Sequence, residues 1–194
     1  ASPENYAEAQ EVTVQNQHFK MTLSSVGGGS VTKFYLKHYL DVSGDPVNLI
    51  QMPPKPNLGI TFTYGGRINY ELSHIVFETM EQAISVSGDD TTKIIRFKHS
   101  FDRGKSIEKI FTVYPDVHDI DRRVIFSGMD SQPPGDGYFI DWNGGLASTE
   151  PNKKDDLNYY QAFAIQAGEE LKTKDKNTGI QEGQTDWVAI RNKY

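Results

Sequence analysis

The 194-residue chain contains no cysteine. Disulfide stapling and thiolate metal centres are therefore excluded, and the absence is compatible with a cytoplasmic or a bacterial periplasmic protein. No apolar run approaches the ~18–20 residues needed to span a bilayer. The polar, mixed stretch Ala1–Gln10 holds no signal-peptide core, which says nothing about segments that could precede or follow this sequence. Basic residues are also in the minority, with 20 Lys and Arg against 26 Asp and Glu. A net charge of −6 argues against nucleic acid as the main partner, because such a partner demands a basic face. What remains is a globular composition, 37% hydrophobic and 24% charged, long enough for one sizeable core.

Period-two alternation and turn residues organise most of the chain. Val12, Val14, Phe19, Met21 and Leu23 alternate with polar neighbours, as strands do. Gly27-Gly28-Gly29 predicts a tight reversal into a strand through Val31, Phe34, Leu36 and Tyr39. Val47–Ile50 reads as a short strand, and Met52-Pro53-Pro54-Lys55-Pro56 as a stiff connector that no central strand can cross. Leu58, Ile60, Phe62 and Tyr64 alternate up to Gly65-Gly66. Further strands are expected at Ile75–Phe77, Ala83–Val86, Lys93–Lys98, Ile107–Val113, Asp119–Phe126, Tyr138–Trp142 and Tyr159–Ile165. Pro133–Gly137 and Lys172–Gly183 read as loops. Strands every ~8–14 residues with no long helix between them indicate an antiparallel sandwich or barrel.

The final stretch looks different. Thr185 or Asp186 offers a helix N-cap oxygen, and Trp187, Ala189, Ile190 and Tyr194 recur at helical spacing. This predicts a C-terminal helix that buries Trp187 and Ile190 and leaves Arg191 and Lys193 solvated, in a protein that continues past Tyr194. The expected organisation is a flexible lead-in at 1–10, one β domain at 11–183, and the helix at 184–194.

Signals of covalent chemistry are weak. His18, His38, His74, His99 and His118 never sit two to four apart, so no local metal-ligand pair exists, and no metal is expected. There is no Gly-x-Ser-x-Gly elbow. Gly27-Gly28-Gly29-Ser30 lacks the following Gly-Lys and helix of a phosphate loop, and reads as a hairpin turn. Asp89-Asp90, Asp155-Asp156 and Glu169-Glu170 flank loop residues and read as solvated carboxylates rather than a glycosidase pair. Trp142 in Asp141-Trp142-Asn143-Gly144-Gly145 is a candidate for a ligand cleft, since an aromatic beside polar groups can stack on a sugar. Lys93, Arg96, Lys98, Arg103, Lys105 and Lys109 make a locally basic stretch, suited to a partner or to an edge strand that discourages pairing with other chains. No catalytic residue and no cofactor emerge.

The assembled pattern resembles the large periplasmic domain of the YidC family, the Oxa1-type membrane protein insertases of Gram-negative bacteria. Val12-Thr13-Val14, Phe19–Leu23, Gly27-Gly28 and Leu36-Lys37-His38-Tyr39 look like the opening strand pair, and Val47–Ile50 like the apolar strand that follows. Ile107–Val113 with Tyr114–Ile120 is similar to a strand, turn and next strand of the family, and Trp142–Leu146 to a motif of some members. Asp186–Tyr194 is the most specific match, similar to a Trp-Val-Ala segment that the resemblance makes a helix leading to a membrane span. The resemblance implies a β-supersandwich like that of galactose mutarotases, with a docked helix and Trp187, Val188, Ile190 and Tyr194 near the bilayer. It further implies a non-catalytic accessory domain in the insertion of inner-membrane proteins, lying in the periplasm and contacting the SecDF side of the Sec translocon. The strands around Lys93–Phe126 correspond to the contacting edge, which makes the six basic residues candidate contacts. The chain is shorter than many members, so surfaces carried by their extra parts do not transfer. The competing reading is a sugar-binding or sugar-epimerising β-supersandwich, with His74 and Glu78, or His118 and Asp116, as acid and base.

Overall fold

Side chains alternate across a strand, so one apolar face suffices to seat it on a core. In the computed structural model, described for residues 9–51, 53–64, 68–79, 85–86, 88, 90–129, 137–149, 152, 154, 158–173 and 185–191, this alternation builds an all-β sandwich. The strands are β1 (Glu11–Gln15), β2 (Phe19–Ser24), β3 (Ser30–Leu40), β4 (Pro46–Asn48), β5 (Asn57–Tyr64), β6 (Ile68–Glu71), β7 (Glu78–Thr79) and β8 (Ser85–Val86). They continue as β9 (Lys93–Ser100), β10 (Ser106–Val113), β11 (Ile120–Ser127), β12 (Tyr138–Trp142), β13 (Gln161–Gln166), β14 (Glu169–Thr173) and β15 (Trp187–Arg191).

Four sheets result, with orders β4-β3-β2-β1-β8, β11-β10-β9-β7, β12-β5-β6 and β14-β13-β15. Pairing is antiparallel except for the two-residue contact of β1 with β8. β10 illustrates the logic: Ile107, Lys109, Phe111 and Val113 point inward, while Ser106, Glu108, Ile110 and Thr112 point outward. The inward faces of the first three sheets meet in one core that includes Val14, Phe19, Leu23, Ile60, Phe62, Ile95, Phe97 and Phe111.

The glycine reversal between β2 and β3 is as the sequence predicts, and it is packed tightly. Gly29 has φ +99°, and a Cβ there would lie 2.3 Å from the Phe111 ring. Only a glycine lets the backbone descend onto the aromatic core at this point.

The C-terminal helix is not present: 187–191 form β15, paired antiparallel with β13 from Ile165↔Trp187 to Gln161↔Arg191. A four-residue apolar run satisfies helical and strand periods alike, and Trp, Val and Ile favour the pleated surface once a partner strand is there. The supposed cap groups are used by the sheet instead. Asp186 N donates to Ile165 O at 2.8 Å, and Thr185 Oγ1 accepts from Gln166 Nε2 at 2.9 Å. β14 likewise occupies the start of the expected 172–183 loop, and β6 follows Gly65-Gly66. Most of the 1–10 lead-in and of the 133–137 and 172–183 loops, the Gly65-Gly66 turn, Asp89, Asp155, Asp156, Lys193 and Tyr194 lie outside the described residues.

Candidate functional site

Two inward positions on adjacent strands carry basic side chains. Lys109 on β10 is fully buried and Arg122 on β11 partly so, among the core side chains of the sandwich. Both serve a strained corner. Leu58 adopts φ 53°, and its carbonyl accepts from Arg122 Nη2 at 2.8 Å and from Lys109 Nζ at 3.3 Å. Lys109 Nζ also donates to Gly27 O at 2.5 Å and sits 5.1 Å from the Phe77 ring centroid. Burial, reinforced by the Arg122 charge, lowers the Lys109 pKa to about 6. The amine is thus neutral at pH 7, and its two N–H groups match the two carbonyls before it. Burial also lowers the Arg122 pKa to about 10, and Arg122 Nε is buried with no hydrogen-bond partner among the described residues. Sequence reasoning put Lys109 at the surface and passed over Arg122. The signal was available, because Lys109 alternates in phase with Ile107, Phe111 and Val113.

A second feature is apolar and open. β12 and the β13–β15 pair bound a groove of about 580 Å³, lined by Leu58, Ile140, Trp142, Tyr160, Phe163 and Val188 among others. Among the described residues no histidine or carboxylate lines it. Trp142 Nε1 donates to Gly145 O at 3.1 Å, which fixes the ring at the groove wall. Val188 in its lining is 74% exposed, and Phe139, on the other face of β12 from Ile140, and Trp187 are 72% and 50% exposed. Trp187 meets Phe163 edge-on at 5.4 Å, over which Arg191 also lies. The expectation that Trp187 is buried against the sandwich is therefore corrected: on a strand, its side chain leaves the sheet on the solvent side.

Three of the five histidines converge although none is a sequence neighbour of another. His18 stacks on His118 at 4.3 Å and meets His38 edge-on at 5.9 Å. His18 Nε2 bonds the Asp116 carbonyl at 2.9 Å, and Asn16 Nδ2 ties the same loop through Tyr114 O and Val117 O, each at 2.8 Å. Among the described residues no group of three or more His, Asp or Glu is arranged to hold a metal ion. His74 lies 4.0 Å from Glu71, while Glu78 neighbours His99, whose pKa burial lowers against the pull of that carboxylate.

The model of the YidC periplasmic domain matches residues 11–194. The chain belongs to the YidC periplasmic-domain family. It is 31% identical to a membrane protein insertase YidC of Chlorobaculum parvum over 191 residues, covering 95% of this chain and 32% of the relative. Against the Chlorobium limicola YidC it is 30% identical, covering 94% of this chain and 32% of the relative. The chain thus spans about a third of the length of the curated relatives it matches. Family membership identifies it as periplasmic domain of a bacterial inner-membrane insertase. Among the described residues no helix is long and apolar enough to cross a membrane.

On this YidC domain the six basic residues divide. Lys109 is buried, as described, and Lys93 is 4% exposed, its Nζ bonded to Gly88 O and Thr91 O. Both lie on the core side of their strands, so neither meets a partner, and the expectation is corrected at these two positions. Arg96 reaches toward Glu108 at 3.8 Å on the outward face, with Lys98 beside it. Arg103, at φ 62°, lies within the turn at Asp102–Gly104, and Lys105 follows it.

Proposed function

We propose that this domain is a non-catalytic accessory module of a membrane protein insertase. It acts in the insertion and folding of inner-membrane proteins beside the Sec translocon. The observation that carries the reading is the exposed apolar groove face of Ile140, Trp142 and Val188, on a chain matched from residue 11 to 194 by the YidC periplasmic domain. Contiguous exposed apolar surface marks a site of interaction, and an insertase handles apolar polypeptide. Arg96, Lys98, Arg103 and Lys105 supply a separate cationic surface for a partner on the SecDF side. The epimerase alternative draws no support from Trp142, because among the described residues the groove that holds this ring is lined by no acid and no base.

The test uses the full-length insertase in its own membrane, with Arg103 and Lys105 both changed to Glu. Co-purification of SecDF components should fall at least severalfold, with insertion of a Sec-dependent membrane protein slowed. Unchanged co-purification and unchanged insertion would sink the reading.

A further inference from the structure

The apolar groove and the buried basic pair meet at one residue. Leu58 lines the groove, and its carbonyl is the acceptor that Lys109 and Arg122 share. The register of β5 also changes there. Ile60 faces Ile140 and Gly59 faces Asp141, but Trp142 faces Asn57, so Leu58 is the extra residue of a β-bulge.

The bulge resets the phase of the strand. Strict alternation from Ile60 would send Asn57 to the opposite face. With the extra residue Asn57 is buried, and it bonds both backbone groups of Val31. Its Oδ1 accepts from Val31 N at 2.7 Å and its Nδ2 donates to Val31 O at 2.9 Å. Ser30 Oγ donates to Asn57 O at 3.1 Å. The chain is thus fixed on both sides of Leu58, by Asn57 before it and by Lys109 and Arg122 at its carbonyl.

Such fixing is needed, because φ 53° is a left-handed backbone that a leucine keeps only where its surroundings impose it. Arg122 is costly as a plain core residue. Its Nε is buried without a partner, and among the described residues no carboxylate lies within 4.0 Å of its guanidinium. An apolar side chain of similar size would fill the space without that cost. The contact that Arg122 does make is the one to Leu58 O, at a bulge that re-aims a groove-lining side chain.

We propose that Lys109 and Arg122 are positioning residues of the apolar groove, holding the Leu58 bulge so that the leucine side chain forms part of the lining. This role rests on the reading of the groove as a surface for apolar polypeptide. It adds that the shape of that surface is set from the core of the sandwich.

Nuclear magnetic resonance of the full chain, with methyl labels on Leu, Ile, Val and Ala, tests the clamp without any ligand. In the parent, Leu58 should show the strong intraresidue HN–Hα contact of a positive φ, and its methyls should contact those of Ile140, Ala162 or Val188. Arg122→Met should abolish both signatures, and Lys109→Met should weaken them. Contacts between Phe97 and Phe111 should persist and show that each variant is folded. If Arg122→Met does not fold, Lys109→Met decides alone. The proposal is overturned if the signatures are absent from the parent or persist unchanged in every folded variant.

A photoreactive residue at Val188 of the full-length insertase supplies the second readout. Its adducts with a nascent membrane protein should fall severalfold in the folded clamp variant. Unchanged adducts with the bulge lost would also overturn the proposal. Absence of adducts in the parent would overturn the reading of the groove and not the role of the clamp, which the resonance signatures decide.

Discussion

Residues 11–127 and residues 137–191 are both built from strands, yet they bury their apolar side chains to different extents. Val12 through Phe126 supply the fully buried hydrophobic residues of the described chain, and beyond them Ala164 alone joins the set. Tyr138, Phe139, Ile140, Trp142, Tyr159, Trp187 and Val188, by contrast, are exposed. The difference teaches that alternation sorts side chains onto faces but does not bury them. Burial requires a second sheet across from the first. β2, β9 and β10 have one, so Phe19, Leu23, Phe97 and Phe111 interlock, with Phe97 and Phe111 edge-on at 6.0 Å. β12, β13 and β15 bound an open groove, so their apolar residues form a surface.

Lys109 gives the largest effect with which to probe the packed region. Its folded pKa of about 6 lies below the ordinary 10.5, so between these values the unfolded chain binds more protons than the folded one. Stability therefore rises as pH increases from about 6 to 10.5, with an upper bound of roughly 6 kcal/mol at about 1.4 kcal/mol per pH unit. Lys109→Met should remove that slope. Urea unfolding from pH 6 to 10 measures it, and equal slopes in variant and parent would mean that the ammonium is solvated in the folded state.

Truncating the aromatic core comes next. Phe111→Ala should cost about 3–5 kcal/mol, as loss of a buried ring does. Trp187→Ala, half-exposed on β15, should cost only about 1 kcal/mol, since little of its area leaves water on folding. Similar losses at the two positions, read from denaturant midpoints, would erase the contrast between the regions. Gly29→Ala isolates a third component. It combines an unfavourable left-handed φ with a clash against Phe111, and should cost roughly 2–4 kcal/mol. Gly44→Ala, at φ +84° with nothing within 4 Å, should cost only about 1 kcal/mol.

The same contrast explains what could be read from the sequence. Strands β9 to β12 were legible within a residue or two, because Ile95, Phe97, Ile107, Phe111 and Phe126 repeat at period two between turn residues. β15 was misread because Trp187, Val188, Ala189 and Ile190 carry no alternation, and only the partner strand β13 decides between helix and strand. Lys109 was misplaced by its chemistry: a charged residue was assigned to solvent although its phase put it in the core. The histidine cluster was invisible because His18, His38 and His118 come together through tertiary contacts between separate segments. Family resemblance was legible from ordered short motifs, which survive at about 30% identity because they mark turns and core positions.

The smallest stability effect carries the sharpest functional consequence. Val188→Ser removes an apolar side chain that is already 74% exposed, so the unfolding free energy of the chain should change by less than about 0.5 kcal/mol. A core position on β2 such as Leu23, with no exposure, would respond severalfold more strongly to the same substitution. If the face around Val188 is a contact surface, Val188→Ser paired with Ile140→Ser should weaken insertion by the full-length protein without a matching loss of stability. A photoreactive residue placed at Val188 should then give adducts that disappear when Ile140 is changed to Ser. Stability lost in step with insertion would instead place this face in the folding of the domain, and the second region would differ from the first only in how much of its core is complete.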